Sequence, residues 1–410
     1  MRYIAFLIFA FASVHTVEAQ SPESAKSQII DQWTAFTDAL QRAGNKILEQ
    51  SSTRDDIDAA EANLYLVQQL SAAVAQELDE YRIDTPLLRI GATTIHKWGL
   101  DSSEAKYQGA VIDSSGLYRL SGTLGSAQII SIQSVMSANT FKSYASIDQT
   151  KLNARADGSF ELLVGLSKPE DWHGPFLQLQ PTSNRLLVRE YFGDWPNEAP
   201  SAFHLERLDD AQAPPPMTLE KSAELMNNIA QGFARRAPFW NGWVQNSRNK
   251  LKNQLRLLVG NQQGLSNNAY GDGWFDIADD EALLIELEPP KAQMWSFQLG
   301  NYWWESIEYI TGLGSINSFQ AATDNDGKIR LVIAKQDPGI RNWLDTGGHN
   351  EGSVMYRFQN TTTVPTPSAQ LVKLSELPSL LPRDTAMATA EDREQAIGVR
   401  RQHVQRRWAP

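Results

Sequence analysis

One segment of this chain occurs twice. Asp157-Gly158-Ser159-Phe160-Glu161-Leu162-Leu163-Val164 is echoed by Asp326-Gly327-Lys328-Ile329-Arg330-Leu331-Val332-Ile333. Each copy continues to a proline at the same spacing, Pro169 and Pro338, and then to a tryptophan, Trp172 and Trp343. Each closes on a strand-like run ending in arginine, Leu186-Leu187-Val188-Arg189 and Val354-Met355-Tyr356-Arg357. Upstream, Ala127-Gln128 with Ser131-Ile132-Gln133 is matched by Ala292-Gln293 with Ser296-Phe297-Gln298. An Asp-Gly pair before alternating apolar residues signals a hairpin turn. Two such blocks in the same order predict two related β units.

The rest of the chain is read around those units. Residues 1–19 have the form of a signal peptide: Arg2, an apolar run from Ile4 to Val14, and Val17-Glu18-Ala19 before a cut at Gln20. The expectation is an exported protein, periplasmic or extracellular, with no transmembrane segment. Cysteine is absent, which excludes thiol catalysis and cysteine-built metal sites. The net charge of −11 argues against a nucleic-acid partner.

Residues 20–87 predict a helical hairpin. Its first helix carries Ile29, Ile30, Trp33, Phe36, Leu40 and Ile47, and its second a stripe of Ile57, Ala60, Leu64, Val67, Leu70, Val74 and Leu78. Residues 88–212 predict the first β unit. Residues 213–273 open on Pro214-Pro215-Pro216 and predict two helices meeting at Pro238. Residues 274–360 predict the second unit, and 361–410 a tail with a basic end. There Arg393, Arg400, Arg401, Arg406 and Arg407 accompany His403 and Trp408, and the reading is a solvated terminus making weak contact with an anionic surface. The fold class is therefore α+β, mainly β: a helical hairpin and two β-sandwich or jelly-roll-like units joined by a helical segment.

No phosphate loop, nucleophile elbow or two-histidine zinc helix occurs, and no cofactor is expected. Three constellations carry polar chemistry. The first runs from Asp337 to Glu351 and places Arg341, Trp343, Asp345 and His349 on a glycine-containing loop, suited to ligand binding or proton transfer. The second is Arg189-Glu190-Tyr191-Phe192-Gly193-Asp194-Trp195, where alternation puts Arg189 and Tyr191 on one face and Glu190 on the other. Glu190 and Asp194 form a carboxylate pair in one reading; in the other, Glu190 bridges to an arginine. The third is Asn301-Tyr302-Trp303-Trp304-Glu305-Ser306, in which one indole could line a cleft. The histidines share no ligand spacing, so no metal is expected, although His349 near Asp345 and Glu351 is the best-placed candidate ligand.

The stretch from Asn301 to Phe358 resembles a bacterial family catalogued as domain of unknown function 1214. The similarity rests on Asn301-Tyr302-Trp303-Trp304-Glu305-Ser306, the Asp326-Gly327 turn, and Asp337-Pro338-Gly339 leading to Asn342-Trp343-Leu344-Asp345-Thr346-Gly347-Gly348-His349. The Arg189 to Trp195 segment resembles a companion element of related chains. The resemblance implies a helical segment with jelly-roll-like β domains. It brings no reaction, so no catalytic role is carried over.

Two functions stay open at this point. One is a protein that binds a polar or amphipathic small molecule, a glycan included, in an aromatic-lined cleft built with Trp303, Trp304, Trp343, Glu305, Arg189, Glu190 and Asp194. The other is a hydrolase or lyase using His349, oriented by Asp345 or Glu351, with Arg341 stabilising an anion.

Overall fold

The computed structural model describes residues 22–94, 96–97, 99–137, 141–209, 216–258 and 267–408. The leader expected over residues 1–19 and most of the proline connector lie outside them. Helices α1 (Pro22–Gln50) and α2 (Asp56–Tyr81) form the expected pair. Asp55 caps α2 by accepting from the Asp58 amide at 2.9 Å. The predicted break at Pro238 is absent: α3 (Leu219–Lys250) runs through it and packs on both other helices. Proline removes one helical hydrogen bond. Ile229 and Phe233 before it and Val244 after it are buried in one core, which keeps the two halves in line.

The helices bury only part of their predicted apolar stripes: Phe36, Leu40, Ile47, Leu70 and Val74 pack into the helical core. Ile29, Ile30, Trp33, Leu64, Val67 and Leu78 are exposed. The inward face of α2 carries Ala62, Tyr65, Gln68, Gln69, Ala72 and Ala73. Small residues allow close approach to α3, while Tyr65 stacks on Trp303 at 5.0 Å.

The two β units are the same fold twice. The first has β1 (Arg89–Ala92), β2 (Ala105–Val111), β3 (Tyr118–Thr123), β4 (Ile129–Ser137), β5 (Phe141–Asp148), β6 (Ser159–Gly165), β7 (Phe176–Gln178), β8 (Arg185–Tyr191) and β9 (Ala202–Arg207). The second has β10 (Gln254–Leu258), β11 (Ala269–Asp276), β12 (Glu281–Leu287), β13 (Ala292–Gly300), β14 (Ser315–Asn317), β15 (Ile329–Ala334), β16 (Trp343–Asp345), β17 (Glu351–Thr361) and β18 (Ser368–Lys373). The five-stranded sheets run β1-β2-β8-β4-β5 and β10-β11-β17-β13-β14; the four-stranded sheets run β7-β6-β3-β9 and β16-β15-β12-β18. Adding nine to each strand number of the first unit gives the second, including the parallel pairs β6–β7 and β15–β16. Alternate residues of both sheets meet inside each sandwich, as Leu120, Ile132, Leu162 and Val188 do in the first and Leu283, Phe297, Leu331 and Tyr356 in the second.

The repeated Asp-Gly turns differ in one respect from the sequence reading. Gly158 and Gly327 take φ of 81° and 84°, as such turns require. They do not join paired neighbours, because β6 and β15 pair with β3 and β12. The chain crosses here from the five-stranded sheet to the four-stranded one. Inward placement of Leu162, Val164, Leu331 and Ile333 demands that crossing.

The C-terminal segment departs furthest from expectation. Ala390–Trp408 is a helix, numbered α5 after the short α4 (Leu377–Leu380), and it is docked rather than solvated. Arg400 and Arg407 are buried with their guanidinium groups 5.1 and 4.9 Å from the Trp195 ring centroid. Arg400 donates to the Ser315 and Tyr309 carbonyls, and Arg407 to the Ser103 carbonyl at 2.6 Å. Burial, with Arg407 beside it, holds His403 down at about 3, so its ring is neutral. Its Nε2 accepts from Arg407, and its Nδ1 therefore donates to the Trp195 carbonyl at 2.9 Å. Arg393 pairs with Asp337 and Arg406 donates to the Trp195 carbonyl, leaving exposed Arg401 as the remaining basic group of the expected surface contact. Arg407→Ala is expected to lower the unfolding free energy by about 2–4 kcal/mol. Arg401→Ala should change it by less than about 0.5 kcal/mol. Urea denaturation compares the two, and equal effects would contradict the docked helix.

Candidate functional site

His349 lies just before β17 and faces α2, not the acids nearest in sequence. Its Nδ1 is 3.3 Å from Asp58 Oδ1 and its Nε2 is 3.4 Å from Glu61 Oε1. Asp58 and Glu61 share one helical face by their i, i+3 spacing. Burial opposes a charge on the imidazole, but the two carboxylates more than offset it and raise His349 to about 9. These three groups could also offer donors to a metal, all within 4.8 Å of one another. An ion there would take one ring nitrogen of His349 together with the two carboxylates. Glu351 is bound instead by Arg248 at 2.8 and 2.6 Å and by the Trp274 indole. Asp345 accepts from the Gly347 amide at 2.9 Å in a tight turn. The expected His349–Asp345–Glu351 arrangement with Arg341 is therefore not assembled.

The Asn301–Ser306 loop is built inward. Asn301 Oδ1 accepts from the Trp303 and Glu305 amides, both at 3.0 Å, and forces a tight bend. Trp304 sits at φ 60°, a left-handed conformation costly for a bulky side chain. The Leu100 amide, donating to its carbonyl at 2.7 Å, helps hold it. Trp303 donates to the Asp58 carbonyl at 2.7 Å, and Trp304 packs against Trp240 and Trp243. Both indoles are buried, so neither lines a cleft as expected. Helix packing claims them, because the helical layer shares its core with this loop. Glu305 is buried facing the Gln68 amide, and burial, with Asp101 near, pushes its carboxyl up to about 9. A neutral Glu305 can donate to an amide oxygen.

On β8 the alternation holds: Glu190 turns to the opposite face from Arg189 and Tyr191. Glu190 accepts from the Ser201 amide at 2.7 Å, so neither the carboxylate pair with Asp194 nor the arginine bridge forms. Arg189 points toward the second unit, near the Tyr107 and Phe141 rings at 6.0 and 5.9 Å.

Three residues from the predicted set do converge. Asp194, Arg341 and Trp343 line one cleft of about 300 Å³ between the two units and α5. Phe319 adds exposed ring surface, while Trp195 and Arg400 line the cleft as buried side chains. Gly193 permits the close approach of Phe319, since a Cβ there would meet its ring at 2.4 Å. Trp343 is oriented by its indole donating to the Ala334 carbonyl at 3.0 Å and by Arg393 stacked 5.2 Å from its ring. Arg341 is exposed, and its side chain makes one long contact, 3.4 Å to the Gln320 carbonyl. Sequence reasoning missed Phe319, Gln320 and the α5 wall. It also missed Asp58 and Glu61, which the helical spacing alone does not connect to His349.

With this geometry in place, comparison with known proteins gives a family for the second unit. Residues 280–363 match the family described as protein of unknown function (DUF1214). The whole fold resembles an uncharacterised protein of known crystal structure from Burkholderia cenocepacia, with a TM-score of 0.80 and 27% identity over 86% of this chain and 100% of that one. The crystal structure of the VPA0106 protein from Vibrio parahaemolyticus aligns at a TM-score of 0.44 and 11% identity over 74% of this chain and 100% of its own. No curated protein matches the chain. Among the described residues, no helix is long and apolar enough to cross a membrane.

The His349 and Glu305 environments make stability depend on pH. His349 is raised from 6.5 to about 9, so its contribution is complete below 6.5 and is lost as pH rises through 9. Glu305 is raised from 4.5 to about 9, so stability also falls across that interval as the unfolded chain ionises first. His349→Gln should flatten the decline between pH 7 and 9 by up to about 1.4 kcal/mol per pH unit. Denaturation at a series of pH values measures this, and identical slopes would show that His349 carries no charge in the folded protein.

Proposed function

We propose that this chain is an exported binding protein, and that the cleft of Asp194, Arg341 and Trp343 holds a polar or amphipathic small molecule. The convergence of Asp194 with Arg341 and Trp343, from two separate segments, carries the reading. Trp343 and Phe319 offer flat apolar surface, which suits a sugar ring or another ring-bearing ligand. Arg341 retains donor capacity for an acidic or hydroxyl group, and Asp194 can accept from a hydroxyl. A volume of about 300 Å³ stands at the lower end for small-ligand sites, which favours a monomeric ligand or one end of a longer glycan. Export rests on the form of residues 1–19. The enzyme alternative loses its support because His349 is enclosed by α2, away from Asp345 and Glu351.

A thermal-shift screen of the protein lacking residues 1–19, against sugars, sugar acids and amphipathic acids, is expected to give a ligand that raises the melting temperature. Trp343→Ala and Arg341→Ala should each weaken that ligand at least tenfold by tryptophan fluorescence titration, about 1.4 kcal/mol. Unchanged affinity in both variants, or a flat screen of a cooperatively melting protein, would reject the cleft.

A further inference from the structure

The duplication places matching polar side chains on the outer faces of the two five-stranded sheets. In the first unit Tyr107, Arg189 and Ser131 stand opposite one another across β2, β8 and β4. In the second, Tyr270, Arg357 and Ser296 occupy the equivalent row across β11, β17 and β13. These faces look at each other. Met294 packs with Ala105, Ile129 and Tyr191 of the first unit, and Gln293 donates across to the Gln128 carbonyl at 2.6 Å. Tyr107 feels both arginines, and Arg189 is surrounded by Tyr191, Tyr270 and Tyr107.

The charge and hydrogen-bond balance of this interface is incomplete. Arg189 is answered by tyrosines rather than a carboxylate. Arg357 donates to Gln298 Oε1 at 3.0 Å and to the Leu100 carbonyl at 3.3 Å. Asp101, the acid that feels Arg357, is bound to Ser306. Arg189 Nε, Ser131 Oγ, Ser296 Oγ, Gln133 Oε1 and Gln359 Oε1 are buried without a hydrogen-bond partner among the described residues. Buried polar groups are normally paired, and a buried guanidinium without an anion is costly. Arg189, Tyr107 and Tyr270 are nevertheless only partly buried.

We propose that the junction of these two rows binds a small organic anion, its carboxylate or phosphate held between Arg189 and Arg357 with the Ser131 and Ser296 hydroxyls, and its ring set against Tyr107 and Tyr270. Guanidinium forks and hydroxyls are the usual recognition chemistry for such oxyanions. The site is separate from the Trp343 cleft and does not rest on it.

Calorimetric titration with benzoate, phenyl phosphate and inorganic phosphate at constant ionic strength tests this, with benzyl alcohol as the neutral control. At least one anion is expected to bind and raise the melting temperature, with benzyl alcohol inert. A preference between benzoate and the phosphates names the headgroup, and phenyl phosphate binding above inorganic phosphate places the ring. Arg189→Met and Arg357→Met should each weaken binding more than tenfold, while Arg401→Ala, at an exposed position, leaves it unchanged. Without anion, Arg189→Met should melt at or above the parent temperature, whereas a purely structural arginine would lower it. If the arginine variants do not fold, Ser131→Ala combined with Ser296→Ala decides, with a fivefold or greater loss expected. No anion binding, or affinity unmoved by the substitutions, overturns the proposal.

Discussion

Everything in this molecule depends on how two β-sandwiches meet across polar faces. Each five-stranded sheet buries one face in its own core and turns the other toward its counterpart. The join cannot rest on oil-like packing alone. Gln298 accepts from the Ser103 amide and donates to the Asp101 carbonyl, while Asn317 donates to Glu104 at 2.7 Å. Glu104 also accepts from the Trp195 indole, and the arginines of α5 close over that ring. Directional bonds of this kind fix one relative placement of the units, where apolar faces would tolerate sliding.

The same polar join explains why the functional groups lie where they do. Aromatic and basic residues that would be expensive inside a sandwich core are allowed between sandwiches, where hydroxyls, amides and accessible space answer them. The Trp343 cleft opens at one end of this join under α5, and the arginine-tyrosine rows lie within it. His349 belongs to a different boundary, between the second unit and the helices. There an ionic contact with Asp58 and Glu61 links α2 to the start of β17.

Much of the architecture was legible from the repeat. Two matched blocks implied two matched units, and strand-by-strand equivalence follows. The helical pair and the alternation of Arg189 and Glu190 were also readable. The failures share a physical cause. Apolar periodicity names an amphipathic face but not its partner, so α2 could bury Tyr65 and Ala72 while Leu64 and Val67 faced outward. Charge predicts solvent exposure unless something distant accepts the hydrogen bonds. Arg400 and Arg407 find carbonyls at Ser315 and Ser103, far away in sequence. Site residues failed for the same reason: neighbours in sequence, such as His349 and Glu351, were claimed by separate partners across the fold. Arg341 and Trp343 line the same cleft because they lie two residues apart.

Helix α5 follows both sandwiches in the chain, yet it supplies the side chains that brace Trp195 at the junction of the two. During synthesis, each sandwich can collapse around its own core before that brace exists. The contacts of α5 with Trp195 are then added last, to units already joined by their own hydrogen bonds. The order of the elements thus makes the brace of the junction the last part of the chain to be made.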